Sequence, residues 1–333
     1  MTRVLLVPDV KGWAWWYRAC DLRSFAPDGI DCTIRTQHEY RRDINRRGAK
    51  WVASFDAVFA MSWAGFALDQ LRHAKRKVTL VTSCGSLYRY RAKKSRGDWR
   101  EWTATVSRNC RRAAQRLPKF DAVVAVNRAI FNHAKQHNPR TYLVPSGVNT
   151  SVFAPPTEDA RFSGRKLIVG WCASPRGDRS VKGYEEVYKP LRASIGDKRF
   201  DWWTNTRDHR NAISRQAMVE RYQSTDVLLC TSITEGTPSP IFEAAACGCC
   251  IVSTNVGMVT DWALPHNLEL VAPAYWNKTT CGETIKSLAR ILNCLADDRD
   301  RLRSAAAALR EDVTARYGYE TIAPLYFDAI LHG

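Results

Sequence analysis

The sequence predicts an α/β protein of two doubly wound domains, each with a mainly parallel sheet. Short apolar runs of strand length recur along the 333 residues, and helical stretches separate them. The alternation then starts afresh near the middle, at Lys166-Leu167-Ile168-Val169-Gly170-Trp171. A strand that returns through a helix to a parallel strand needs a sheet covered on both faces. The chain is long enough for two domains of ordinary size, and its 45% hydrophobic content supports two full cores.

The elements follow in order. Arg3 to Val7 reads as the first strand and leads into a turn at Asp9-Val10-Lys11-Gly12, with Trp13-Ala14-Trp15-Trp16-Tyr17 behind it. Further strands are expected at Ala57–Met61, Lys77–Val81 and Ala122–Val126, the last flowing into a helix from Arg128 to Gln136 and a strand from Thr141 to Pro145. Between them, Tyr88 to Asp98 reads as a basic loop. A helix is expected from about Trp99, with its apolar stripe at Trp99, Trp102, Val106, Cys110, Ala113 and Leu117. In the second half Asp226–Thr231 is a buried strand, and Ala244-Ala245-Ala246-Cys247 forms helix until Gly248 stops it. Cys250–Thr254 is the next strand, and Tyr319 to Leu331 is an amphipathic terminal helix.

Chemistry concentrates between the Asp226 and Cys250 strands. Glu235-Gly236-Thr237-Pro238 stands at a glycine turn, and Glu243 lies eight positions after Glu235 within the following helix. A helix start offers backbone N–H groups to an anion. One carboxylate would stand at that mouth and the other about two turns deeper. The arrangement suits a phosphorylated, hydroxyl-rich ligand.

Other classes find little support. No run of about 18 apolar residues exists to span a membrane. Met1 to Pro8 enters a strand with no signal-peptide core, so a cytoplasmic location is expected. The eleven cysteines show no disulfide framework and are expected to be reduced. Cys247-Gly248-Cys249-Cys250 lacks the second pair of a zinc site, and Asp298-Arg299-Asp300 lies in a charged helical connector. No metal site and no cofactor are expected.

The segment Tyr222 to Asp261 resembles the donor-binding signature of retaining family 4 glycosyltransferases of the GT-B fold. The matching residues are Glu235-Gly236-Thr237-Pro238, then Glu243-Ala244-Ala245-Ala246-Cys247-Gly248, then Val256-Gly257. Pro145-Ser146-Gly147-Val148-Asn149 through Phe153 and Pro155 is similar to the bridge that closes the first domain in that family. Ser146 and Asn149 depart mildly from its pattern. The resemblance implies an acceptor domain at 1–155, a nucleotide-sugar domain at 156–316 and a final helix at 317–333 crossing back to the first domain.

It further implies a metal-independent, retaining transfer from a nucleotide sugar, with a UDP-sugar favoured. Glu243 would bind ribose hydroxyls and Glu235 the sugar hydroxyls near the reacting carbon. Gly236, Thr237 and Pro238 would meet sugar or phosphate. Lys182, immediately before Gly183, would grip the diphosphate together with Arg176 or Arg179. Fixed cations there stabilise the charge that gathers on the leaving group. Gly12 joins the donor set, and so does Trp203 of Trp202-Trp203-Thr204-Asn205, for which a core role is an equal alternative. Ser83 and Cys84 stand where the family often has a His.

Charge then points to the partner. Residues 1–150 carry 28 Lys and Arg against 11 Asp and Glu, whereas 151–333 carry 22 of each. One cluster is Arg35, Arg41, Arg42, Arg46, Arg47 and Lys50; another runs from Arg89 through Arg91, Lys93, Lys94 and Arg96 to Lys119. So basic an acceptor domain calls for a polyanion, either nucleic acid or an anionic membrane, unless the charge is simply solvated. Aromatics interleave with the cations, as phosphate tracking and base stacking would require. Phage-type DNA glycosyltransferases of this broad architecture add sugar to a 5-hydroxymethylpyrimidine, which must leave the base stack. The leading expectation is therefore DNA as acceptor, held by Trp13, Trp16, Arg89, Arg91, Lys93, Lys94 and Arg96. A cell-surface glycan or glycolipid acceptor at an anionic membrane is one alternative. A noncatalytic nucleic-acid-binding protein on the same scaffold is another.

Overall fold

The computed structural model describes the chain apart from residues 65–67, 83–87, 95–99, 107, 158–160, 163–164, 174–180, 207–212, 263–270 and 273–277. It divides into two compact units, one of Met1–Arg89, Val106–Gly147 and Tyr317–Gly333, the other of Tyr90–Thr105 and Val148–Arg316.

In the first unit β1 (Thr2–Val7) leads to α1 (Ala14–Ser24), β2 (Ile30–Ile34), α2 (Gln37–Arg47), α3 (Ala49–Ala53), β3 (Ala57–Ala60) and β4 (Lys77–Val81). Val4 to Val7 and Ala57 to Ala60 are fully buried, as expected of strands covered on both faces. Gly12, at φ +75°, makes the left-handed turn ahead of α1. Thr36 and Glu39 form a reciprocal capping box at the start of α2.

A two-stranded sheet follows, β5 (Tyr88–Lys94) with β6 (Arg100–Val106), and then α4 (Arg108–Arg116). Here two expectations are corrected: Tyr88–Lys94 is a strand, not part of a loop, and the helix begins at Arg108 rather than near Trp99. Aromatic and β-branched residues (Trp102, Thr103, Thr105, Val106) fit a pleated strand better than a helix. Tyr88 and Tyr90 alternate with Arg89 and Arg91 at the same period of two. The remaining elements are β7 (Ala122–Ala125), α5 (Arg128–Lys135) and β8 (Thr141–Leu143). The sheet order is β2-β1-β3-β4-β7-β8, with every pair parallel.

The second unit has β9 (Leu167–Cys172), a short π-helix at Tyr184–Tyr188, α6 (Lys189–Ile195), β10 (Phe200–Asn205), α7 (Arg215–Gln223), β11 (Val227–Cys230), α8 (Ser239–Ala246), β12 (Cys250–Thr254), α9 (Met258–Trp262), β13 (Val271–Ala272), α10 (Lys278–Asp297) and α11 (Arg299–Tyr317). Its parallel sheet runs β10-β9-β11-β12-β13. Fully buried Asp226 ties the base of this sheet. It accepts two hydrogen bonds from the Arg165 guanidinium (2.7 and 3.1 Å) and others from the backbone N–H groups of Ile168 (2.7 Å) and Phe162 (3.3 Å). A buried carboxylate paired in this way carries no uncompensated charge.

The terminal helix, α12 (Tyr319–Leu331), packs within the first unit, with Tyr326 edge-on to Phe59 at 6.0 Å. Gly147 leaves room for the Tyr319 ring, which would stand 3.0 Å from any Cβ there. No described helix is long and apolar enough to cross a membrane.

Candidate active site

The centre of the second unit is the segment between β11 and α8. After Cys230 the chain leaves the sheet, and Thr231 to Pro238 runs along the end of β11 before α8 begins. Two links hold this loop to the Val181-Lys182-Gly183 turn. The Ile233 N–H donates to the Val181 carbonyl (2.8 Å), and the Thr231 hydroxyl donates to the Lys182 carbonyl (2.8 Å). Thr231 also accepts from Trp171 Nε1 of β9 (2.9 Å), so one buried hydroxyl sets strand, loop and lysine relative to each other. Gly183 adopts φ +68°, which turns the chain sharply into the π-helix just after Lys182.

That arrangement brings Lys182 and Glu235 together. Lys182 Nζ donates to Glu235 Oε1 at 2.5 Å, and the Ser232 hydroxyl donates to the same oxygen at 2.7 Å. The side chains are 25% and 12% exposed, respectively, so the pair is partly desolvated yet still reaches solvent. Burial alone would lower the Lys182 pKa; the charge of Glu235 and its hydrogen bond outweigh this and hold it above the ordinary lysine value. The ammonium is therefore a fixed positive charge at neutral pH.

The turn beyond Glu235 is built on a close approach. Gly257, at φ +57°, lies so near that a Cβ would stand 2.6 Å from the Glu235 carbonyl oxygen and 2.7 Å from that of Gly236. The Met258 N–H donates to the Gly236 carbonyl (3.0 Å), and the Thr237 hydroxyl meets Met258 Sδ (3.1 Å). Gly236 is buried and Thr237 half-buried. Pro238 caps α8 without a side-chain hydrogen bond. The helix start offers fewer N–H groups than expected. Pro240 has none, and those of Ser239 and Ile241 turn back to the carbonyls of Thr237 and Pro238 (2.9 and 3.0 Å).

Glu243 lies one turn into α8 and has its own partner: the Tyr222 hydroxyl donates to Oε2 at 3.3 Å. Its charge is felt by Cys172 of β9, whose thiol is pushed up to about 12, first by burial and then by Glu243. Neighbouring Phe242 stacks on Trp262 at 4.8 Å, which fixes the face of α8 that carries the carboxylate.

Of the other expected site residues, Trp203 has its ring 6.5 Å from that of Tyr222, the partner of Glu243. Trp203 lies in β10 with its ring against Gly170 of β9, where a Cβ would be 2.3 Å from Cζ2. Its Nε1 donates to Thr225 Oγ1 (2.9 Å), and the Arg221 guanidinium lies over the ring at 5.4 Å. Gly12, Trp13 and Trp16 belong to the first unit. Trp13 is the extended residue ahead of α1, and Trp16 packs half-buried on that unit's core with Lys11 Nζ 5.6 Å from its ring. Arg89, Arg91, Lys93 and Lys94 lie on β5, and Arg91, Lys93 and Lys94 group with the second unit. Arg176, Arg179, Ser83, Cys84 and Arg96 lie outside the described residues. Among the described residues, no group of three or more His, Cys, Asp or Glu converges as a metal site. Thr231, Ser232 and Tyr222 contribute hydrogen bonds that the sequence did not signal.

Residues 206–308 match the family model described as glycosyl transferases group 1. No curated protein matches the sequence significantly. Among solved structures, the chain resembles sucrose-phosphate synthase from Thermosynechococcus elongatus, with a TM-score of 0.73 at 16% identity over 98% of both chains. It also resembles Anabaena HepE in complex with UDP and glucose, with a TM-score of 0.69 at 14% identity over 98% of this chain and 99% of that one. A glycosyltransferase from Rickettsia africae aligns over 100% of this chain and 99% of its own, with a TM-score of 0.65 at 12% identity. The chain thus has the GT-B-like fold of two Rossmann-like domains, and its residues 206–308 match glycosyl transferases group 1.

Proposed function

We propose that this protein is a glycosyltransferase that takes a sugar from a nucleotide sugar, UDP-linked by preference, and transfers it with retention and without a metal to a hydroxymethyl group on a pyrimidine of DNA. The observation that carries the donor half is the Lys182–Glu235 pair beside the Gly236 turn; Glu235 and Gly236 lie within the span that matches the group 1 family, and Lys182 lies before it. A fixed ammonium suits a leaving diphosphate, because it stabilises the charge developed as the glycosidic bond breaks more than it stabilises the intact donor. Arg176 or Arg179, a few positions before Lys182 in the sequence, would add a second cation. Glu235 keeps one carboxylate oxygen on Lys182 and Ser232 and has the other to accept from a sugar hydroxyl. Glu243 would accept from the ribose, with Tyr222 orienting it. The departing phosphate oxygen would assist the acceptor hydroxyl on the same face, so no protein nucleophile is assigned. HepE, a fold relative, binds UDP and glucose, which supports the choice of donor.

The acceptor half rests on charge: 28 Lys and Arg against 11 acidic residues in the first 150 positions suit a polyanion. Incubation with duplex containing 5-hydroxymethylpyrimidine and a panel of nucleotide sugars, read by mass spectrometry, tests both halves. A mass gain on the DNA is expected with one donor. Transfer to a glycolipid or glycan instead would overturn the acceptor, and neither hydrolysis nor transfer with any donor would overturn the enzyme.

A further inference from the structure

We propose that the outer face of α2, continued by the start of α3, is a docking surface for the phosphate backbone of double-stranded DNA. His38, Arg41, Arg42, Asn45 and Arg46 are all exposed. Their spacing of three and four residues places them on one side of the helix, while Tyr40 and Asp43 are buried on the other. Arg47 and Lys50, also exposed, extend the stripe across the Gly48 turn, with the Arg47 guanidinium 5.7 Å above the Trp51 ring.

The two carboxylates of α2 are already committed. Glu39 closes the capping box on the Thr36 N–H (2.8 Å), and Asp43 takes Arg35 Nε at 2.9 Å. No ion pair among the described residues involves Arg41, Arg42, Arg46, Arg47 or Lys50. Arg42 and Arg46, four residues apart, repel along the helix. An external polyanion offsets that repulsion.

The composition of the stripe selects among polyanions. A membrane-docking helix presents large apolar side chains beside its cations. Exposed large hydrophobics among the described residues are Met1, Val10, Leu143 and Leu325, and none lies on α2 or α3. Four of the five cations are arginines, whose forked donors match phosphate oxygens. The choice of DNA deepens the acceptor reading above and rests on it, but the surface can be tested without any transfer of sugar.

The test measures binding of the full chain to an unmodified duplex by fluorescence anisotropy across a salt series, for wild type and for Arg41→Gln/Arg42→Gln/Arg46→Gln. Gln matches Arg in helix propensity, so the variant should melt with the wild type. The wild-type log affinity should fall linearly with log salt. In the triple variant the slope should be shallower by about 0.9 for each phosphate no longer neutralised, with affinity at low salt at least about tenfold weaker. Arg46→Gln alone should make the slope shallower by about one phosphate's share. Lys198→Gln/Lys286→Gln, at exposed positions of the second unit, should leave the slope unchanged. An unchanged slope in the triple variant would overturn the proposal, and so would binding to phosphatidylserine vesicles in place of duplex. Wild type that binds duplex through this face yet transfers no sugar to hydroxymethylated DNA would keep the surface and remove the acceptor reading. Transfer with an unchanged slope would do the reverse.

Discussion

At Glu235 a single carboxylate oxygen serves two donors, Lys182 and Ser232, and the structure around it leaves little freedom to rearrange. Glu235→Gln would leave the ammonium without its counter-charge in a site only a quarter exposed. The expected cost is about 2 kcal/mol, lower than for a fully buried pair because water still reaches the lysine. Lys182→Met should cost less, since Ser232 still satisfies the carboxylate, and denaturant melts of the two variants would show the asymmetry. Gly257→Ala forces a side chain at positive φ against the Glu235 and Gly236 carbonyls. It should destabilise by about 2 kcal/mol or more, whereas the same change at Gly196, the half-buried cap of α6 with open space around its Cβ position, should cost only the backbone strain. Equal losses at the two glycines would contradict the close packing of this turn. Glu235, Glu243 and Lys182 stand out in the sequence because their glycine-flanked segments resemble a family motif, and the structure brings two of them, Lys182 and Glu235, into contact. Ser232, Thr231 and Tyr222 do not stand out, since a hydroxyl at a strand end looks the same whether or not a carboxylate waits three residues on.

At the scale of elements, apolar runs bounded by turn residues placed β1, β3, β4, β7, β9, β11 and β12 to within a residue or two, because strands buried on both faces leave continuous hydrophobic tracts. The two-stranded β5–β6 sheet escaped the same logic. β5 is dense in Arg and Lys, so its charge reads as loop despite the alternation of Tyr with Arg, whereas β6 carries a single Arg and its apolar residues read as a helical stripe. The α8–β12 junction shows what its cysteines contribute. Cys247, Cys249 and Cys250 are buried where the helix passes into the strand, with Gly248 at φ +83° between them. Burial pushes Cys247 up to about 12, with Glu243 adding to it, and burial likewise raises Cys250 to about 12. A thiol raised in the folded state keeps its full contribution below the unfolded value near 9 and loses it as pH climbs toward 12. Thermal stability should thus begin to fall above about pH 9, and these thiols should resist iodoacetamide at pH 8 until the chain is unfolded. Rapid alkylation of all three in the native protein would show that the junction is open.

For the whole molecule, two parallel sheets in two Rossmann-like domains follow from the alternation of strand and helix, and the structural relatives share that fold at identities of 12–16%. Fold alone leaves the substrate open; the proposal that the Lys182–Glu235–Ser232 cluster takes a phosphorylated sugar donor has to be tested by binding and turnover. A nucleoside diphosphate that binds only the folded state should raise the melting temperature. At about a hundredfold excess over its dissociation constant the gain is about 2.7 kcal/mol, and Lys182→Met should abolish most of it. The most direct test of the donor site is the rate at which wild type, Glu235→Gln and Lys182→Met release nucleotide from a panel of nucleotide sugars. The wild type should release it from one donor, with both variants slower by about a hundredfold or more. Equal rates in all three proteins would contradict the assignment of this cluster to catalysis.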